Sequence, residues 1–386
     1  MTDIKDKKLG FGCMRLPLTD AMNQNAFDYN LIEKIFDRYI AKGFTYFDTA
    51  YTYHNYHAEE AVRKALVERH NRSSFELATK LPLRDFKDAE DMKSIFDEQL
   101  RNCGVDYFDY YLLHNMGTNV YGKCCKYGAF DFVYRKKKEG KIKHVGMSFH
   151  DTPELLDEIL KTYGDRLDFV QLQINYIDWV QPNVQSKRCL EIADKYNKSV
   201  IVMEPCKGGT LVNLPDKALQ ILKEYNPNGS AASWALRFAA SQKGVIRVLS
   251  GMNSMEQVED NTSTFVDFNP LSDKEIRIID EVRNIIEASI TIPCTACSYC
   301  THGCPKDIAI PQYFALYNNI MRTTGSFSSQ MVYYGNLSLS HGSKASDCIG
   351  CHQCEKACPQ HIHITNFLKK VVEKLENNSI IPVRNE

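Results

Sequence analysis

No run of apolar residues in this 386-residue chain approaches the roughly 20 that a membrane-crossing helix needs. An excess of one charge sign is missing too. The 47 Lys and Arg against 48 Asp and Glu leave a net charge of −1, so nothing points to nucleic acid or an anionic membrane surface. The opening MTDIKDKKLG is polar and lacks an apolar signal core, so the expected location is cytoplasmic. No G-x-G-x-x-G follows the first apolar run, which argues against an open dinucleotide-binding sheet. Apart from one doubled cysteine run there is no internal repeat and no low-complexity segment.

That doubled run is the strongest feature present. Residues 294–305 read CTACSYCTHGCP and residues 348–359 read CIGCHQCEKACP, each a C-x2-C-x2-C-x3-C-P pattern. The short loops let thiolate sulfurs converge on one cubane [4Fe–4S] cluster. The pattern resembles that of two-cluster bacterial ferredoxins, in which the fourth cysteine crosses to the other cluster. The resemblance implies Cys294, Cys297, Cys300 and Cys358 around one cluster, and Cys348, Cys351, Cys354 and Cys304 around the second. Disulfides would need an oxidising compartment, and zinc would want paired C-x2-C motifs or mixed Cys and His. Fourteen cysteines, eight of them in these runs, lead us to expect an oxygen-poor, anaerobic setting.

Up to about residue 265 short apolar runs alternate with helix-period segments. The strand candidates are 9–13, 44–48, 75–80, 107–114, 144–148, 169–175, 200–204 and 245–250. In DYNLIEKIFDRYIAKG, Leu31, Ile35, Phe36 and Tyr39 form one stripe that Gly43 ends. Thr152, Pro153 and Glu154 open another helix. The basic run Arg135–Lys138 suits a solvated helix end. Eight strand–helix units predict a closed (β/α)8 TIM barrel, with chemistry at the C-terminal strand ends. An open doubly wound sheet is the alternative. Ser272 and Glu275 then form a capping box before a bridging helix. The 43 residues Pro305 to Asp347 separate the cysteine runs, and PQYFALYNNIMR and ITNFLKKVVEKL read as helices. The expected organisation is a barrel over 1–270 and a mainly α-helical, ferredoxin-like iron–sulfur domain over 271–386.

The motifs at the strand ends are DTAYTY after strand 2, ATK in strand 3 and LLH in strand 4. In that order they resemble the aldo-keto reductase family, whose barrel carries an Asp–Tyr–Lys–His tetrad. The resemblance, over about residues 8–265, implies Asp48, Tyr53, Lys80 and His114 as catalytic. The chemistry has its own logic. Carbonyl reduction needs a proton donor, and a free tyrosine with a pKa of about 10 gives up its proton reluctantly. A lysine cation stabilises the phenolate, and an aspartate keeps that buried lysine charged. A neutral histidine orients the substrate oxygen. The plainer alternatives are an ordinary Asp48–Lys80 ion pair, a packed tyrosine and a core histidine. His54 and His57 read as loop residues.

The same resemblance implies nicotinamide contacts at Ser148, Gln173, Glu204, Gly208, Ser250, Gly251, Ser254, Gln257 and Asn261. Phe149 stands where the family usually has Asn, and Met203 where it stacks an aromatic. The basic pair that grips a 2′-phosphate in many relatives is replaced by Gly251 and Gln257, which leaves NADPH against NADH open. The strand-8 segment also reads simply as a helix capped by Asn253 or Ser254. Cys206 is a small loop residue or a reactive thiol near the site mouth. Cys124 and Cys125 fall in the loop after strand 4. Cys13, Cys103 and Cys189 read as core or surface thiols.

A hydride carries two electrons and a cluster one, so direct traffic between them calls for a flavin. Three functions fit. One is a carbonyl/alcohol oxidoreductase whose clusters exchange electrons with a soluble electron-transfer protein. The second is a flavin-containing conduit, and the third is a redox sensor.

Overall fold

The computed structural model describes residues 7–20, 23–181, 184–288, 291–294, 296–321, 329–358 and 360–377. The strands are β1 (Leu9–Gly12), β2 (Tyr46–Asp48), β3 (Glu76–Pro82), β4 (Phe108–Met116), β5 (Ile142–Phe149), β6 (Phe169–Gln173), β7 (Ser199–Met203) and β8 (Val245–Ser250). They close in chain order into one barrel, with every neighbouring pair parallel, including β1 with β8. This is the predicted (β/α)8 architecture. A parallel strand pair needs a crossover, and helices supply it.

The first crossover shows why. In α1 (Tyr29–Ala41) the Asp28 side chain accepts from the Leu31 amide at 3.0 Å, and Ile32, Ile35, Phe36 and Tyr39 are buried. Ile35, Phe36 and Tyr39 hold the expected stripe, and Ile32 takes the place of Leu31, which is half-buried at its edge. Gly43 ends the turn at φ +84°, a conformation other residues avoid. The further crossovers use α2 (Ala58–Val62), α3 (Ala89–Cys103), α4 (Thr118–Tyr127), α5 (Ala129–Lys138), α6 (Pro153–Tyr163) and α7 (Ser186–Lys195). Then come α8 (Asp216–Tyr225), α9 (Ala231–Ala240) and α10 (Met255–Val266). Thr152 caps α6 as expected, its hydroxyl accepting from Leu155 N at 3.4 Å. Cys124 and Cys125 lie within α4, not in a loop.

Tyr46, Ala78, Tyr110, Leu112, Phe169, Ile201 and Leu249 form one buried cluster contributed by β2, β3, β4, β6, β7 and β8. The packing is tight enough to dictate a glycine. A Cβ on Gly146 would stand 2.5 Å from the Phe169 ring. At the other end of the strands, β4 loses its regular register with β5 between Leu113 and Met116, and Asn115 adopts φ +56°. Such irregularities re-aim side chains next to active sites, and His114 lies in this one.

The chain divides into two compact units, Met1–Cys206 with Asn228–Ile279, and Lys207–Pro227 with Asp280–Glu386. The division falls within α11 (Asp273–Ala288), whose predicted capping box is present. Ser272 N donates to Glu275 Oε2 at 2.8 Å, and Glu275 N to Ser272 Oγ at 3.3 Å. The C-terminal part is helical, with α12 (Ile310–Ile320), α13 (Ser329–His341), α14 (Gln353–Lys356) and α15 (Ile364–Val371). Its core includes Ile308, Ile310, Tyr313, Phe314, Leu368 and Val371. The Asn318 amide fixes the approach to the first cysteine run. It accepts from Ile292 N at 2.8 Å and donates to Ile292 O at 2.9 Å. No helix among the described residues is long and apolar enough to cross a membrane.

Candidate functional site

Lys80 lies inside β3, fully buried, with an ammonium whose three donors each have an acceptor. Nζ stands 2.6 Å from Asp48 Oδ1, 2.7 Å from Thr49 O and 3.3 Å from the Tyr53 hydroxyl. An ammonium has three N–H groups, so the set is complete. Asp48, the last residue of β2, also accepts from Gln171 Nε2 at 3.1 Å, through its other oxygen. The chain then turns, with Tyr53 N bonded to Ala50 O at 3.1 Å, which swings the phenol back over Lys80. The ammonium sits 4.7 Å from the Tyr53 ring centre. The His114 ring packs edge-on against Tyr53 at 5.8 Å. Residues 5 to 66 positions apart in sequence thus form one constellation, with all four predicted tetrad members in it.

Burial opposes the charge on Lys80, but Asp48 and Tyr53 outweigh it and hold its pKa above the ordinary value. For Tyr53 burial is the larger effect. It raises the phenol pKa, and Lys80 pulls it back only in part. The sequence led us to expect a net lowering, and the difference is desolvation, which a linear motif does not display. Tyr53 is therefore a phenol with its proton in place at neutral pH. Burial, then Lys80, His150 and Arg84, push His114 well below its ordinary pKa, so it is neutral. His150, just past β5, is pushed down to about 4, burial first and then Lys80 and Arg84.

Sequence reasoning missed a supporting layer. Glu59 on α2 is buried and accepts from Thr79 Oγ1 at 2.6 Å and Gln99 Nε2 at 2.8 Å. The Gln99 amide also donates to Lys80 O at 3.0 Å, and Tyr111 OH donates to Gln99 Oε1 at 2.6 Å. Burial raises the Glu59 pKa to about 7. The one signal available was Glu59 in HAEEAV, a carboxylate on an otherwise apolar face. His54 is likewise more than a loop residue. It is buried, its Nε2 accepts from Leu16 N at 3.2 Å, and it packs on Phe27 at 5.0 Å. His57 stays half-buried in the turn before α2.

The residues matched to nicotinamide contacts lie past the strand ends. Ser148 Oγ accepts from Asn115 N at 2.8 Å. Gln173 Nε2 donates to Asp178 at 2.7 Å, and Asn175 holds Asp178 at 2.7 Å and Glu204 O at 3.1 Å. Ser250 Oγ accepts from Asn261 Nδ2 at 2.8 Å. Ser254 caps α10, its hydroxyl accepting from Gln257 N at 3.3 Å, while Gln257 Oε1 accepts from Asn253 N at 2.8 Å. Part of this segment is thus helix capping. A Cβ on Gly251 would meet Gly12 O at 3.8 Å and Arg15 Cβ at 3.9 Å, ordinary contact distances. Gly208 sits in the turn Lys207–Gly209 at φ +62°, in the segment grouped with the second unit. Phe149 is buried in β5, and Met203 is half-buried at the end of β7. Burial pushes the Cys206 thiol up to about 12, which disfavours the thiolate a reactive cysteine needs. Among the described residues, the buried Arg15 Nη2, Tyr176 OH and Glu204 Oε2 have no hydrogen-bond partner. Unmatched buried polar atoms beside glycines fit a polar ligand such as a dinucleotide.

In the second unit one cavity is lined by Cys294, Cys297, Cys300 and Cys358, and another by Cys304, Cys348, Cys351 and Cys354. Cys304 and Cys358 have exchanged places relative to their own runs. Ile310 lines both cavities. Burial first, then the neighbouring Cys294, raises the Cys300 thiol to about 12. Four thiolates in one apolar pocket need a cationic core, and the quartets surround a space, as a cubane requires, so the residues fit the group.

A barrel bearing this Asp–Lys–Tyr–His constellation, with cysteine quartets in its tail, is an oxidoreductase. The chain belongs to the aldo/keto reductase family, whose model matches residues 8–284, and residues 293–363 match a 4Fe-4S dicluster domain. The uncharacterized oxidoreductase YqkF of Bacillus subtilis is 24% identical over 308 residues, covering 72% of this chain and 93% of that one. A probable aldo-keto reductase 1 of Glycine max is 35% identical over 153 residues, 36% of this chain and 41% of that one. Among solved structures, the aldo-keto reductase AKR11C1 of Bacillus halodurans aligns at 25% identity with a TM-score of 0.58, covering 71% of this chain and 91% of that one. An aldo-keto reductase from Klebsiella pneumoniae, solved in complex with NADPH, shares the fold at 22% identity and a TM-score of 0.58, covering 72% and 90%.

Proposed function

We propose that the chain interconverts a carbonyl and an alcohol, with Tyr53 as acid–base, and that its tail exchanges electrons with a soluble protein partner. The observation that carries this is the Lys80 ammonium held between Asp48 at 2.6 Å and the Tyr53 hydroxyl at 3.3 Å, with His114 against the same ring. When bound, a nicotinamide supplies the hydride. In reduction Tyr53 gives its proton to the substrate oxygen, so C=O gains a hydride at carbon and a proton at oxygen. Lys80 stabilises the phenolate left behind, and neutral His114 donates a hydrogen bond that orients the oxygen. In the reverse direction the phenolate takes the alcohol proton.

The barrel module is residues 1–270, and residues 271–386 carry the clusters. Cys294, Cys297, Cys300 and Cys358 hold one [4Fe–4S] cluster, and Cys304, Cys348, Cys351 and Cys354 the other. Bound there, the clusters supply one-electron carriage, and Ile310, common to both cavities, keeps the two sites adjacent.

The test is anaerobic turnover with a panel of aldehydes and ketones and NADPH or NADH. Tyr53→Phe should abolish carbonyl reduction and leave the cluster absorbance unchanged. Wild-type turnover in that variant would overturn the tetrad assignment. Flavin released on denaturation of the purified protein would instead establish the conduit reading.

A further inference from the structure

Phe169, Gln171 and Gln173 lie two apart along β6, so their side chains share one face, the barrel interior. Phe169 packs there on Tyr110, ring centres 5.4 Å apart, in the buried cluster of apolar and aromatic side chains. One step nearer the site, Gln171 places an amide in the same core, and it is only 2% exposed. Burying an amide in such surroundings is costly unless it is hydrogen-bonded. Its bond crosses the barrel from β6 to β2, where Nε2 donates to Asp48 Oδ2 at 3.1 Å.

The two oxygens of Asp48 therefore have separate tasks. Oδ1 takes the Lys80 ammonium at 2.6 Å. Oδ2 takes Gln171 and, at 3.5 Å, the Tyr46 hydroxyl. Burial raises the Tyr46 pKa well above its ordinary value, so this phenol stays a donor. A carboxylate turns easily about its last torsion. With Oδ2 held from across the barrel, Oδ1 alone faces Lys80, and an ammonium N–H remains for the Tyr53 hydroxyl 3.3 Å away. Donors on Oδ2 also offset part of the negative charge with which Asp48 opposes a Tyr53 phenolate.

We propose that Gln171 is a positioning residue for the proton step, fixing the Asp48 carboxylate and, through it, the hold of Lys80 on Tyr53. This rests on the tetrad reading above. The groups that act on Tyr53 through space are Lys80, Asp48 and Cys13. Burial pushes the Cys13 thiol far up, and His114, against the Tyr53 ring, is neutral. Losing the amide frees the carboxylate to turn and leaves more of its charge facing the tetrad. Lys80 and Tyr53 then both keep their protons to higher pH.

Full-length protein, purified anaerobically with its clusters, is assayed for carbonyl reduction from about pH 7 to about pH 11, and the alkaline fall in rate is located. That fall belongs to the coupled Lys80–Tyr53 pair. Gln171→Met keeps the bulk and removes the N–H. It should lower kcat about tenfold at neutral pH with KM for the carbonyl unchanged. It should also move the alkaline fall up by about one pH unit, tenfold in the ionisation constant. Tyr46→Phe keeps the ring and removes the longer bond to the same oxygen. It should move the fall the same way by less, and it reads the inference even where Gln171→Met does not fold. A fall that stays in place in the folded variants, with the rate merely lowered, would overturn the inference and leave Gln171 a core amide. Wild-type turnover in Tyr53→Phe would instead remove the tetrad reading beneath it.

Discussion

Around Lys80 in the barrel mouth, each ammonium proton meets an oxygen supplied by the protein, from Asp48, Thr49 and Tyr53. Around Cys300 in the tail, the neighbours that shift the thiol are other cysteines, Cys294, Cys354 and Cys297, which oppose its ionisation. One site is complete by its own hydrogen bonds. The other is four like groups turned toward a space. A barrel of parallel ladders can hold proton chemistry in register before any ligand arrives, whereas thiol quartets on short loops need iron to reconcile them.

The contrast can be broken most directly by removing the metal. Chelating iron from the anaerobic protein should abolish protection of the tail against proteolysis, with cleavage within 291–377, while the barrel keeps its cooperative melting transition. If both units lose structure together, the barrel is not self-sufficient. Cys351→Ala should halve the iron, from about eight atoms per chain to about four, and leave Tyr53-dependent turnover intact if the modules are separable.

Next in size is Tyr53→Phe, which should lower carbonyl turnover by about 10²- to 10⁴-fold, the usual yield of a positioned general acid. Tyr53 keeps its proton because its pKa is raised, and His114 stays neutral because its pKa is far depressed. Reduction should therefore show no ionisation from either group between about pH 7 and 9, and steady-state rates across that range check it. Lys80→Met leaves Asp48 buried and unpaired. It should cost about 3–5 kcal/mol of stability by denaturant unfolding, as breaking a buried pair does.

The smallest expected effect belongs to Glu59. Its pKa in the fold, about 7, lies above the ordinary 4.5. The native state therefore binds the extra proton, and stability present in acid is lost as pH rises through about 7. The full swing is about 3 kcal/mol. Melting temperature should fall from pH 6 to pH 8 in the wild type and stay nearly level in Glu59→Gln. The charged groups facing it are few. Glu98 acts through space, and its bonded partners Thr79, Gln99 and Asn102 are neutral.

Much of the site was legible where side chain and function share a short segment. Asp48 and Tyr53 come from one hexapeptide, and Lys80 and His114 from strands recognisable by their apolar runs. Errors arose where an environment decides. In the α1 stripe Ile32 replaces the expected Leu31, because Ile32 lies on the same face as Ile35, Phe36 and Tyr39. Cys124 and Cys125 joined a helix although their neighbours are polar. The Tyr53 pKa moved up, not down, because burial outweighs a single cation. Gln99, 19 positions from Lys80, and Arg15, 189 positions before Glu204, carry no local mark of the contacts they make.

Periodicity and spacing by themselves determined eight strand–helix units, a helical tail and two cysteine runs, because those patterns act over a few residues of chain. Tertiary structure alone decided which side chains meet at the seam of the predicted closed barrel, where β8 pairs with β1 and Arg15 lies beside Gly251. That Cys304 and Cys358 line each other's cavities is what the resemblance to two-cluster ferredoxins had already implied. Ring closure and core packing join positions far apart in the chain, and what such positions do follows from burial, charge and distance after they meet.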